Sequence, residues 1–391
     1  MDLFESYKSY TFARDLMDSG LYPYFNALET AQDTEVVING QSTIMLGSNN
    51  YLGLTNDPRT KAAAIKAVEQ FGTGCSGSRF LNGTLTLHQE LEKELAEFFG
   101  KDAAMTFSTG YQSNLGIIQA LSNRHTVIFM DNENHASLFD ATRLAFAKNV
   151  SKFEHNNMED LEERLVRAGE DTPKLIVTDG VFSMSGDIAK LPELVALKKK
   201  YNARLMVDDA HGVGMLGKNG SGTASHFGLT DEVDVIMTTF SKSLASLGGC
   251  MAANEDVIHY AMHNSRPFIF SASIPPANAA AALEALRIMK REPERVTNLM
   301  NIANYMRKQL LEANIPIVEG ETAVIPIYTY EAERTLIIAK RLLENGVYVN
   351  PVLPPAVPDG MCLLRTSYTA THTRDQIDRA VATIKKVFSE N

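Results

Sequence analysis

Leu205-Met206-Val207-Asp208-Asp209-Ala210-His211-Gly212-Val213-Gly214 decides the fold, read together with Val235-Ile236-Met237-Thr238-Thr239-Phe240-Ser241-Lys242-Ser243-Leu244. Each stretch opens with an apolar run short enough to be a buried strand. The first run delivers an acid and an imidazole, Asp208 and His211. The second delivers Lys242 between small hydroxyl residues and closes on Gly248-Gly249. In open parallel α/β sheets, ligands sit outside the carboxyl ends of the strands. The reactive side chains stand where such a sheet would need them.

Upstream, the pattern repeats. Ala103 to Phe107, Thr126 to Met130 and Leu175 to Thr178 read as short apolar strands, and Pro192 to Tyr201 as the crossover helix into the central stretch. Strands alternating with helical patterns argue for a mainly parallel sheet covered on both faces. Pro58 to Gln70 has apolar residues at helical spacing with proline near its start. The glycine-rich loop Gly72 to Thr84 follows, with Thr84 expected to cap a helix running through Phe98. Ser108-Thr109-Gly110-Tyr111 opens another helix, whose free N–H groups suit a phosphate. From Pro276 onward, helical patterns lead into a smaller C-terminal α+β part with strands at Ala323 to Tyr328 and Met361 to Thr366. The expected division is an N-terminal arm over 1–50, a large domain over 51–275 and a small C-terminal domain over 276–391.

Composition narrows the function classes. The chain has 391 residues, 45% of them hydrophobic, enough for a substantial core. With 37 basic and 47 acidic side chains the formal charge is −10, which argues against nucleic acid as a partner. Cys75, Cys250 and Cys362 lack metal-ligand spacing, so no metal site is expected. A sparse, odd set fits reduced thiols and a cytoplasmic setting. No apolar run is long enough to span a bilayer, and Met1 to Ser6 lacks the pattern of a secretory signal. Composition leaves weak peripheral contact with a membrane open.

A lysine at one strand end and an aspartate at another suit pyridoxal phosphate (PLP), which needs a Schiff-base lysine and an anionic partner for its pyridinium nitrogen. Asp208-Asp209-Ala210-His211 followed by Thr239-Phe240-Ser241-Lys242 resembles the α-oxoamine synthase family of fold-type I PLP enzymes, over about Gly20 to Phe388. The resemblance implies a PLP-dependent transferase fold and carries roles onto matching positions. Lys242 would be the Schiff-base lysine and later a base. Asp208 would face the ring nitrogen and His211 the ring hydroxyl. His135 would stack on the ring and bond the substrate carboxylate. Gly110, Tyr111 and Ser183 would contact the cofactor, and Thr239 and Ser241 would contact its phosphate or position the lysine. Ser271 and Ala272 would complete the phosphate site of a partner subunit in a homodimer. Asn49, Ser78 and Arg365 would meet the amino-acid substrate, Ser78 from across the dimer interface.

Taken alone, several of these residues have plainer readings. Gly47 to Leu54 is turn-rich, the glycine-rich loop is weak as a phosphate signal, and a lone strand arginine is usually a surface charge. His155, before the turn-like Asn156-Asn157, reads as structural. The Ser-Gly-Ser-Arg-Phe-Leu-Asn-Gly-Thr loop is the more specific likeness, and it favours L-serine and a long-chain acyl-CoA as substrates. Two relatives that take carboxylate-ended acyl groups carry an arginine near where this chain has Pro23, which favours an apolar chain here. A sister activity on glycine and acetyl-CoA is the alternative. A PLP aminotransferase is conceivable on fold grounds. A non-catalytic subunit would lack the lysine that this chain has at 242.

Overall fold

Burial on both faces explains the central sheet. The structure, a computed structural model, describes residues 2–390; Met1 and Asn391, the ends of the expected arm and small domain, lie outside the described residues. Two strands near the N-terminus, β1 (Glu35–Ile38) and β2 (Gln41–Met45), form an antiparallel pair. Then come β3 (Ala103–Phe107), β4 (Val127–Asp131), β5 (Asn149–Phe153), β6 (Lys174–Asp179), β7 (Arg204–Asp208), β8 (Val235–Thr239) and β9 (Gly249–Ala253). They make a seven-stranded sheet in the order β3-β9-β8-β7-β6-β4-β5, in which β9 alone runs antiparallel to its neighbours. Every residue of β4, β6, β8 and β9 is buried, as expected of a sheet covered on both faces.

Alternation assigns the side chains to the two covers. Phe129, Ile176, Val207 and Ile236 join the larger core, with the helices Pro58–Phe71, Thr86–Phe99 and Pro276–Arg291 among its contributors. Their neighbours Ile128, Val177, Met206 and Met237 face the second core, under the helices Gly110–Leu121 and Glu255–Asn264. The expected strands and helices are all present, with ends moved by a residue or two. One cap differs. The helix after the glycine-rich loop starts at Thr86, with Leu85 rather than Thr84 at the cap position. The Thr84 hydroxyl is engaged with Arg79, donating to its carbonyl and accepting from its Nε at 3.1 Å, while the Leu85 N–H donates to His88 Nδ1 at 3.1 Å.

The C-terminal strands are β10 (Val324–Tyr330), β11 (Val347–Tyr348), β12 (Asn350–Val352) and β13 (Cys362–Ser367). One three-stranded sheet has the order β10-β13-β12. The other, β1-β2-β11, joins the two ends of the chain, with β11 parallel to β2. Residues 35–45 are therefore built into sheet with the C-terminal region. Among the described residues, no helix is long and apolar enough to cross a membrane.

The glycine-rich loop is anchored by a buried ion pair. Arg79 donates from both terminal nitrogens to Glu92, at 2.6 and 2.9 Å, and also to Thr106 Oγ1 on β3 at 2.9 Å. Removing one partner of a buried pair leaves an uncompensated charge, at a cost of about 3 kcal/mol. Urea unfolding of Arg79→Ala should show a loss of that order, and a loss under about 1 kcal/mol would mean that Glu92 is solvated without its partner.

Candidate active site

The parallel strands all point their carboxyl ends to one edge, and polar residues replace apolar ones there. Asp131, Asp179, Asp208 and Thr239 close β4, β6, β7 and β8, with Asp179 directly opposite Asp208 in the β6–β7 register. Between this edge, the start of the helix Gly110–Leu121 and the loop after β8 lies a cavity of about 270 Å³. Gly110, Tyr111, His135, Asp208, His211, Thr239, Ser241 and Lys242 all line it.

The helix start sits close against β8. A Cβ on Gly110 would lie 2.5 Å from Thr239 Oγ1, so only glycine allows this approach. Thr109 caps the helix by accepting from the Gln112 N–H at 3.0 Å, and Thr239 Oγ1 lies 3.0 Å from Ser241 Oγ. Free N–H groups and hydroxyls thus gather at one end of the cavity, a setting that favours a phosphate.

At the other end, Asp208 is held on two sides. One oxygen accepts from Asn114 Nδ2 at 2.7 Å and the other from the Ala210 N–H at 3.0 Å. The same Asn114 nitrogen reaches Ser137 Oγ at 2.8 Å, whose hydroxyl lies 2.7 Å from His135 Nδ1. The adjacent Asp209 does not line the cavity. It accepts from the Thr223 N–H and hydroxyl, both at 2.6 Å, fixing the loop after β7.

The site suppresses charge. Burial pulls the Lys242 amine down to about 7, with Asp208 opposing and the Arg365 charge adding to the drop. Burial also holds His211 well below the usual imidazole range, assisted by the charges of Lys242 and Arg365. Partial desolvation lowers His135 although the residue is exposed, with Asp208 opposing. Burial drives Asp179 well above the usual carboxylate range, and the nearby Asp208 pushes the same way. Asp179 accepts from the His135 N–H at 3.2 Å and so braces the imidazole's backbone.

Arg365 is buried, unlike a typical strand arginine. From β13 its Nε donates to the Ser183 carbonyl at 2.5 Å, and one terminal nitrogen to Asn49 Oδ1 at 3.1 Å. Asn49 and Arg365, both expected to meet the amino-acid substrate, are thus brought together from distant parts of the sequence. Ser183 takes part through its carbonyl, and its side chain is not among the lining residues. Ser271 accepts from Gln112 Nε2 at 2.6 Å and the Ala272 carbonyl accepts from Ser108, beside the helix start but outside the lining. Ser78 is also outside it, buried, with an Oγ that has no partner.

His155 is structural and charged. Burial would lower it, but Asp131 at 3.0 Å and Asp187 at 2.9 Å push it up to about 10. Asn114, Ser137, Asp179 and Tyr51 join the site without being expected there from the sequence. Asp179 had a signal, since it ends an apolar strand as Asp208 does. Asn114 had a weaker one, four residues beyond Gly110 on the same helix face.

Comparison with known proteins agrees with this geometry. The family model described as aminotransferase class I and II matches residues 41–384. A serine palmitoyltransferase (SPT) of Sphingobacterium spiritivorum is 51% identical over 388 residues, covering 99% of this chain and 97% of that one. An 8-amino-7-oxononanoate synthase of Lysinibacillus sphaericus is 41% identical, covering 97% and 98%. A solved structure of SPT with a PLP internal aldimine superposes with a TM-score of 0.97 at 37% identity, covering 100% of this chain and 99% of that one. The chain belongs to the class I and II aminotransferase family, and within it to the fold-type I α-oxoamine synthases.

The low pKa of Lys242 has a measurable sign. An unfolded lysine titrates near about 10.4, against about 7 in the folded chain. Between those values the unfolded chain binds the extra proton, so stability rises with pH across the window. The cost of burying the charge is complete below about pH 7 and gone above about pH 10.4. In cofactor-free protein, Lys242→Met should therefore raise the melting temperature most at pH 6 and progressively less toward pH 10. A gain that does not vary with pH would show that the amine does not titrate in this window.

Proposed function

We propose that this chain is a PLP-dependent enzyme that condenses L-serine with a long-chain acyl-CoA such as palmitoyl-CoA. The products would be 3-ketodihydrosphingosine, CoA and CO2, the opening reaction of sphingolipid synthesis. The observation that carries this reading is Lys242, an amine lowered to about 7 in a cavity that it shares with Asp208 and a helix start.

The residues present fit the cofactor. The phosphate would lie against the N–H groups after Thr109, with Gly110, Tyr111, Thr239 and Ser241 around it. The ring would lie between His135 and the floor of the cavity, its nitrogen toward Asp208 and its hydroxyl toward His211. The unpartnered Asn114 Oδ1 marks a polar floor prepared for more than packing. When bound, the cofactor supplies a carbonyl carbon that amines condense with and a ring that accepts the electron pair of a deprotonated carbon.

The chain's own groups supply the rest. A Lys242 amine near about 7 is partly neutral at physiological pH, so it can attack a carbonyl and later take the serine α-proton. Asp208, fixed by Asn114 and Ala210, stabilises positive charge at the ring nitrogen. Arg365 and Asn49 grip the serine carboxylate, the planar guanidinium offering paired donors, and His135 adds a further polar contact. Ser78, Ser183, Ser271 and Ala272 belong to the same reading as contacts made or completed in a homodimer. Leu81, 76% exposed, and Phe270, 73% exposed, beside these segments support such an interface. Within each subunit we read an arm over 1–50, a cofactor-binding domain over 51–275 and a small domain over 276–391, in a cytoplasmic enzyme.

Serine and a long acyl chain, rather than the sister substrates, rest on the 51% identity to the SPT against 41% to the 8-amino-7-oxononanoate synthase. Pro23 supports an apolar acyl group, because no arginine stands there to pair an acyl carboxylate.

The test is a substrate matrix. PLP-loaded protein given L-serine or glycine, with palmitoyl-CoA or acetyl-CoA, should release CoA and CO2 quickly with serine and the long thioester alone. Turnover confined to glycine and acetyl-CoA would overturn the substrate assignment. Arg365→Ala should raise the serine KM by about tenfold or more, as loss of a charge-assisted bond of roughly 1.5–3 kcal/mol requires. An unchanged serine KM would remove Arg365 from the carboxylate site.

A further inference from the structure

Tyr51 sits where the carboxylate grip meets the imidazole of His211. It is fully buried, and its hydroxyl lies 2.7 Å from His211 Nδ1. The same oxygen is 3.3 Å from Asn49 Oδ1 and 3.5 Å from a terminal nitrogen of Arg365. Burial raises the phenol above its ordinary value, against the Arg365 charge, so the hydroxyl keeps its proton. His211 is neutral for the reasons given above, so its ring carries one N–H and one bare nitrogen.

Donor accounting then fixes the proton positions. Arg365 can only donate, so toward it the phenol oxygen must accept. The phenol has one proton and two candidate acceptors. Asn49 Oδ1 already accepts from Arg365 at 3.1 Å and is the more distant. Nδ1 at 2.7 Å has the separation of a strong O–H bond. The tyrosine proton therefore belongs to Nδ1, and the imidazole proton to Nε2. Among the described residues, none hydrogen-bonds Nε2, and His211 lines the cavity.

We infer that Tyr51 is a positioning residue that sets the His211 tautomer, so that Nε2–H is offered into the cofactor cavity as a donor to the ring hydroxyl oxygen. The hydroxyl oxygen also accepts from Arg365, whose same terminal nitrogen donates to Asn49, so this donor is tied to the carboxylate grip. Occupation of the carboxylate grip and orientation of the imidazole thus share one oxygen atom. This role rests on the reading of His211 as the partner of the cofactor ring. It deepens that reading by explaining why a neutral histidine there presents a donor rather than a bare nitrogen. The second nitrogen of a functional imidazole is commonly fixed in this way.

Tyr51→Phe removes the hydroxyl and keeps the ring that fills the core, so the variant should fold. 15N solid-state NMR of histidine-labelled protein, with His211→Asn to assign the signal, reads the tautomer directly with and without PLP. The expected result is Nε2 protonated in the wild type and a mixture of tautomers in Tyr51→Phe. PLP affinity should fall on the order of tenfold, the loss usual when an outer partner of a functional imidazole is removed. In a His211→Asn background the same change should cost nothing further, because Tyr51 acts through His211. Nδ1 protonated in the wild type, unchanged PLP affinity in Tyr51→Phe, or additive losses in the double variant would each overturn the inference. If wild-type protein fails to bind PLP, the cofactor reading falls, while the cofactor-free spectrum still decides the tautomer.

Discussion

Asp208 is held by two hydrogen bonds, one from Asn114 and one from its own turn at Ala210, at the carboxyl edge of a buried sheet. The rest of the site depends on that fixed carboxylate. It opposes the loss of charge at Lys242 and at His135, and it raises Asp179 across the β6–β7 pair. Asn114 is placed to hold it because the helix Gly110–Leu121 packs directly on the sheet, where Gly110 permits contact with Thr239. One close approach of helix and strand therefore positions both the phosphate end and the ring end of the cavity.

Such a site works against folding. Lys242, Asp179 and His211 are displaced from their ordinary titration ranges chiefly by burial, each at a cost to the folded state. The expense is met elsewhere, in the two cores that cover the sheet and in ties such as His155 with its two aspartates. Proteins commonly carry destabilised groups where chemistry is done and compensate in the scaffold.

Much of this architecture was legible in the sequence because strand ends are marked by abrupt changes of residue type. Val207-Asp208 and Phe240-Ser241-Lys242 show such changes, and both segments line the cavity as expected. What was not legible depends on contacts between distant segments. Nothing local at Tyr51 reveals a histidine 160 positions later. Arg365 is similar, since alone it reads as a surface charge and only its burial beside Asn49 gives it a partner. Side chains at the ends of regular elements could be assigned from pattern; those whose meaning is a tertiary partner could not.

The sheet that joins β1 and β2 to β11 has a consequence for how the molecule is made. Asn350 donates to the Gly47 carbonyl across 303 residues, and Arg365 reaches Asn49 across 316. Synthesis proceeds from the N-terminus, so the segment around Asn49 must wait, unpaired on this side, until residues 350–365 have been made. The seven-stranded sheet draws only on residues up to Ala253 and can assemble earlier. The half of the pocket built around Lys242 is therefore available before the half that contains Arg365. Order of synthesis alone delays a complete site until Arg365 has been made.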